Sequence, residues 1–443
     1  MMISGMFSRR NRRPKSPELV RAWELLDAGD VPGALRSLRA DAAGLPPGEV
    51  ALVVGRAAET VGFEDLRQAA AALAARPGRA QELFDFGYAC IERGLSSLAI
   101  PALSEVLRQK PGALTVVREL VAAYEREGRH GEAVEILARH ESDFADWPDR
   151  YLLVHNAIMA GDLVLARRQH SLLPDPADPQ WLPARARQSR VLERASAAAP
   201  ATPLDLTDLR GWQYVIGGTV LGMLSPFGFD AGMTGRYAWL QDTPGQCLRG
   251  LLRLRTLLEA AEVRPRSVSL LPDRDSRVLG LAAAGVLGLP AERFAPGRED
   301  TVVIAYDLNG LTRTEHGAEV CGQLFDRVPG QVLHEHAASW TDSPAVTADS
   351  VALLHQSIVA PWGEGLRQGA DGVERTPADS RPEDRIADDI VHADPSPDEG
   401  DGDTPTDPDE AFTGFVTAVR DTWLRGDRSA LISSGPVPSS RFA

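Results

Sequence analysis

Between residues 16 and 200 the apolar positions recur three and four apart, and small residues break the runs at regular points. That spacing predicts amphipathic helices joined by short turns. The breaks are periodic. Gly87, Cys90, Gly94, Ala99, Leu103, Val106 and Pro111 are followed 34 positions later by Val121, Tyr124, Gly128, Ala133, Leu137, His140 and Ala145. Gly94 and Gly128 stand where a first helix must end in a tight turn, which favours glycine. Ala99 and Ala133 are small enough to let two helices cross closely, and Pro111 stops the second helix.

The pattern continues outward. Leu25, Gly29, Ala34, Leu38 and Pro46 match upstream, and Ala157, Gly161, Ala166, His170 and Leu173 match downstream with the period one shorter. The stretch from Glu49 to Ala80 is then a degenerate copy. About five units are predicted, closed by a capping helix from Pro183 to Ala198. At least three such units are needed to bury a continuous core.

These positions resemble the tetratricopeptide repeat, whose period is 34. The resemblance covers residues 16–200 and implies an α-helical solenoid whose first helices line a groove for a protein or peptide. The residues it assigns to that groove are Phe84, Tyr88, Arg118, Glu125, Tyr151 and His155, a mixed and partly aromatic set suited to an amphipathic segment. The Lys and Asn set that clamps a terminal carboxylate in chaperone-binding members is not found.

After residue 205 the period changes. Ser267 to Leu271 and Thr301 to Tyr306 read as short buried strands, and Val278 to Leu287 as an Ala- and Leu-rich helix ending at Gly288 and Pro290. Cys247 to Ala261 reads as a flanking helix, Gly330 to His336 as a strand, and Ser350 to Val359 as a closing helix. Alternating strands and helices over 205–368 predict an α/β domain with a mostly parallel sheet. Ligands of such sheets bind at the carboxyl ends of the strands. Two segments fall there. Asp273, Arg274, Ser276 and Arg277 open a helix, where backbone amides and two arginines suit an anion. Asp307, Asn309 and Gly310 follow the next strand, where Asp307 suits a metal or a ribose hydroxyl. Asp273, Asp275 and Asp307 also read as helix caps and turn formers.

The outline from Leu279 to Pro290 and from Val302 to Asp307 is weakly similar to phosphoribosyltransferases. The resemblance implies a diphosphate-bearing sugar held at Asp307. Tyr306 stands where an acid is expected, and residues 308–312 are not the usual Thr-rich loop. A degenerate, binding-only domain is therefore as consistent with the residues as a transferase.

The net charge is −15, yet residues 371–410 hold fifteen acidic residues against three arginines, a local −12 that leaves −3 elsewhere. A near-neutral body gives no electrostatic case for nucleic acid. Cys90, Cys247 and Cys321 match no disulfide or zinc spacing, and a reducing cytoplasm is the expected setting. His334 and His336 alternate on one strand face, but spacing supplies no third ligand, so no metal is expected. The sequence leaves any cofactor unknown. Residues 214–229 contain Pro226 and four glycines and do not predict a membrane span. Trp212, Trp239, Trp340 and Trp362 fall in this region, with Arg236 beside a loop that could stack on a ring.

The first 15 residues read as a disordered basic head. Residues 369–410, acidic and rich in Pro and Gly, read as a disordered linker. In residues 411–426 Phe412, Phe415, Val416, Val419 and Trp423 share one helical face; that helix docks on a partner, on the repeats or on the second domain. Residues 427–443 read as a disordered tail. The leading expectation is a cytoplasmic adaptor without catalytic activity; the alternative is a transferase or hydrolase acting on a phosphate-bearing sugar or nucleotide.

Overall fold

A computed structural model describes residues 13–342, 344–369, 372–429 and 433–439. The basic head up to residue 12, the start of the acidic run at residues 370 and 371, and residues 430–432 and 440–443 of the tail lie outside the described residues. The chain forms two compact units that divide between Pro179 and Gln180. No helix among the described residues is long and apolar enough to cross a membrane.

The first unit is helical and built in pairs. α1 (Pro17–Asp27) packs on α2 (Val31–Asp41), α3 (Pro47–Val61) on α4 (Glu64–Ala75), α5 (Ala80–Glu92) on α6 (Ser96–Gln109), α7 (Leu114–Arg126) on α8 (His130–Arg139), and α9 (Tyr151–Met159) on α10 (Leu163–Leu172). Successive pairs stack through α4 on α5, α6 on α7 and α8 on α9. The turn inside each pair holds a glycine with positive φ: Gly29, Gly62, Gly94, Gly128 and Gly161. An L-residue is strained in that region, so the turn selects glycine. Five residues after four of those glycines stand Ala34, Ala99, Ala133 and Ala166, each fully buried. The close crossing is visible in the third pair, where a Cβ on Gly87 would lie 2.7 Å from Leu103 Cγ.

The second unit begins with α11 (Leu182–Ala198), the helix expected to cap the repeats; it packs on α12 (Leu209–Gly217). Next come β1 (Val220–Leu221), β2 (Tyr237–Gln241), α13 (Pro244–Ala260), β3 (Ser267–Leu270), α14 (Arg274–Leu287), β4 (Ala291–Arg293) and β5 (Thr301–Ala305). α15 (Leu308–Thr312), α16 (Gly317–Phe325), β6 (Val332–Ser339) and β7 (Ser350–Val359) complete the sheet region. The sheet order is β1-β7-β6-β5-β3-β4, with β2 also on β7, and every pairing is parallel. Ser350 to Val359, expected as a closing helix, is the interior strand β7. It pairs on both edges and its first six residues are buried, so it shows no alternation, and a short apolar run of that kind reads equally as helix.

After β7 come a hairpin of β8 (Gly365–Gly369) and β9 (Gly372–Thr376), then α17 (Glu383–Val391) and α18 (Asp409–Val419). α17 lies inside the stretch expected to be an unstructured linker. It buries Ile386, Ala387 and Ile390 against α14 and α13, three apolar residues that the acidic composition around them concealed. α18 packs on α11 and α13, burying Phe412, Phe415, Val416 and Val419, and Trp423 beyond it is buried too. The amphipathic end helix thus completes the second unit's core. Part of the expected tail is ordered as well: Arg428 is buried and bonds both oxygens of Asp349.

Candidate functional site

In the sheet the chain leaves β3 toward β4 on one side and returns to β5 on the other. This switch opens a crevice beyond the carboxyl ends of β3 and β5. A pocket of about 290 Å³ lies there, lined by Asp273, Arg274, Asp275, Tyr306, Asp307 and Gly310 among others. The two segments singled out in the sequence therefore meet. Asp273 caps α14 by accepting from the Ser276 N–H at 2.9 Å, and burial raises its carboxyl pKa. Its Oδ1 is buried without a partner. Asp307 caps α15 through the Asn309 N–H at 2.8 Å, and the Asn309 amide donates to Asp342 O.

Several residues of the expected anion site are engaged by the chain itself. Arg277 forms a two-pronged pair with Glu383 at 2.6 and 2.9 Å, and Arg274 donates to the carbonyls of Asp379 and Arg381. Ser276 is fully buried, and its hydroxyl accepts from the Tyr306 N–H at 3.0 Å. Three carboxylates face the pocket with one arginine, so it favours cations and hydroxyl groups over bare phosphate.

Deeper in the same unit lies a cluster that sequence spacing could not assemble. Asp242 follows β2, Cys247 stands in the first turn of α13, His336 is on β6, and Tyr306 follows β5. Asp242, Cys247 and His336 are buried and their ligand atoms lie within 4.8 Å of one another, a set able to hold a metal ion. Asp242 Oδ2 accepts from Tyr306 Oη at 2.9 Å, lies 3.0 Å from His336 Nε2 and 3.3 Å from Cys247 Sγ. Burial and the Asp242 charge push the Cys247 thiol and the Tyr306 phenol well up. Gly250 on α13 allows the approach, since a Cβ there would meet Ala352 Cβ and His336 Nδ1 at 2.9 Å. His334, the other histidine of the expected pair, bonds Ser350 instead. Nothing local marks Asp242 or Cys247; only a parallel strand order brings residues 89 and 94 positions apart together. Arg236 is buried, bonds the carbonyls of Met233, Val437 and Pro438, and lies 5.7 Å from the Trp340 ring centroid.

The six groove candidates of the first unit meet different fates. Tyr88 is 45% exposed and stacks on half-buried Phe84, centroids 6.3 Å apart. Arg118 is engaged by Asp149 at 2.7 and 2.9 Å. Burial raises the Glu125 carboxyl pKa, and that carboxyl accepts from buried Asn156 at 2.6 Å; Asn156 also contacts His130. Tyr151 stacks on Trp147 and His155 lies edge-on to His130. The aromatic pair Phe84–Tyr88 is thus the most accessible apolar feature among the six.

Compared with known protein families the chain matches none, and no curated protein matches it.

Proposed function

We propose that the chain is a non-enzymatic cytoplasmic adaptor whose first unit, of the tetratricopeptide kind, holds a protein or peptide partner. The observation that carries the reading is the run of five helix pairs, each turned by a left-handed glycine, with intervals of 32 to 34 residues between those glycines. Arrays of this kind build extended partner-binding surfaces. The Phe84–Tyr88 stack supplies a rigid aromatic anchor, the residue class that dominates such interfaces. The test is crosslinking of the full chain in extract of its native host, beside Tyr88→Asp. A partner captured by the wild type and lost from the variant supports the reading. Equal capture by both, or none by either, refutes it.

A second reading rests on the pocket beyond β3 and β5. There the unit binds a small hydroxyl-rich or cationic ligand, or a diphosphate-bearing sugar or nucleotide bridged by Mg²⁺ to Asp273, Asp275 and Asp307. Thermal-shift measurements with nucleotides and phosphoribosyl diphosphate, each with and without Mg²⁺, test the phosphate branch. Stabilisation only with Mg²⁺ supports it, and no stabilisation removes it.

A further inference from the structure

The buried cluster around Asp242 supports an inference independent of what the repeats bind. The Asp242 side chain is fully buried, and no arginine or lysine of the described ion pairs reaches it; its one partner of that kind is His336. A buried carboxylate needs pairing, protonation or a metal ion. The contacts on it are lopsided. Oδ1 accepts the Thr243 N–H at 2.8 Å, while Tyr306 Oη, His336 Nε2 and Cys247 Sγ all crowd Oδ2, at 2.9, 3.0 and 3.3 Å. Three side-chain donors exceed the two lone pairs of one carboxylate oxygen. Polar atoms converging on one point of a core, one each of N, O and S, are the donor set a divalent zinc ion selects.

The spacing agrees. Zinc bonds of about 2.0–2.3 Å in a tetrahedron set neighbouring ligand atoms about 3.3–3.6 Å apart. Here the separations are 3.0 Å for Asp242 Oδ2 to His336 Nε2, 3.3 Å for Asp242 Oδ2 to Cys247 Sγ, and 3.8 Å for Cys247 Sγ to His336 Nε2. We propose that Asp242 Oδ2, Cys247 Sγ and His336 Nε2 bind a zinc ion, with the Tyr306 hydroxyl as the neighbouring fourth polar atom. The ion takes the place of the thiol proton, which is released as it binds, while the neutral imidazole carries its proton on Nδ1 so that Nε2 faces the ion. Because the ligands are buried, the site is closed and structural. It ties the end of edge strand β2 and the first turn of α13 to the interior strands β6 and β5. Tyr306 reaches the pocket as well, so the ion also stiffens one wall of that crevice.

The rival is a metal-free hydrogen-bonded core with the same contacts. Elemental analysis of the untagged full chain, grown with supplementary zinc, separates them; about one zinc per chain is expected. Unfolding and refolding with Co²⁺ is expected to give a thiolate-to-cobalt charge-transfer band that Cys247→Ser lacks. A near-zero metal content, together with no cobalt band in a chain that regains its circular dichroism, overturns the proposal. Bound metal whose cobalt band survives Cys247→Ser overturns it too. Should Cys247→Ser fail to fold, the wild-type zinc content and cobalt spectrum still decide.

Discussion

Replacing Arg428 by methionine tests whether the C-terminal segment is keyed into the second unit. The Arg428 and Asp349 side chains are fully buried. The guanidinium bonds Asp349 Oδ2 at 2.9 and 3.1 Å, Gln331 Oε1 at 3.0 Å, and the carbonyls of Leu324 and Gln331 at 2.8 and 3.1 Å. Methionine keeps most of the volume and removes every donor. Breaking a buried pair from one side costs about 3–5 kcal/mol. Asp349 keeps Arg327 and the Leu333 N–H, so its charge is not orphaned and the lower end applies to the pair. Two buried carbonyls lose a donor at about 1 kcal/mol each, which brings the sum to about 5 kcal/mol. At about 2–4 °C per kcal/mol for a unit of this size, the second unit's transition should fall by roughly 10–20 °C in scanning calorimetry of the full chain. Arg425→Ala is the control: its pair with Glu193 is 58% and 49% exposed, and surface pairs contribute little. An Arg428→Met transition that coincides with the Arg425→Ala transition would refute the reasoning.

Two further perturbations probe the two units, one in each. Glu335 is buried beside Asp307, and burial raises its carboxyl well above the usual range while Oε1 accepts the Leu308 N–H at 2.7 Å. A raised acid is protonated when folded, so its contribution is whole below the unfolded value of 4.5 and is lost as pH rises toward the folded value. Glu335→Gln keeps an acceptor for Leu308 and should flatten that loss. Its advantage over wild type should grow above pH 5 by at most about 1.4 kcal/mol per pH unit in urea melts, and parallel curves from pH 5 to 8 would contradict the assignment. In the first unit, Gly87→Ala places a Cβ 2.7 Å from Leu103 Cγ and should cost about 1–3 kcal/mol by overpacking, read in the same way; no change would mean the helices do not cross there.

Much of the first unit was legible because each turn is made locally. A glycine in the left-handed region and an alanine at the crossing leave marks at a fixed interval, and Gly94, Ala99, Gly128 and Ala133 stand as that logic requires. The strands β3 and β5 were legible for a similar reason, as short apolar runs bounded by caps. β7 was not, because a strand buried on both faces has lost the alternation that separates it from a helix. Asp242 and Cys247 were not legible at all. Their partners come from β5 and β6, and strand order is a property of the sheet that no window of residues contains.

The acidic run and the arginines of the expected anion site went astray for one shared reason. Composition treats residues 371–410 as charge that cannot fold, and motif reading treats Arg274 and Arg277 as charge awaiting a ligand. In the structure each answers the other. Glu383 takes Arg277, and the backbone carbonyls of Asp379 and Arg381 take Arg274. Farther along, Asp407 takes Arg210, with exposures of 12% and 11%, and also meets Arg253. Coupling through the chain gives these partners a high effective concentration that a free anion must outcompete. A phosphate reaching Arg277 would have to displace a two-pronged carboxylate and the α14 contacts of α17 that hold it in place. The arginines therefore serve the fold of the acidic segment, and the crevice beside them is lined by Asp273, Asp275 and Asp307 as well as Arg274.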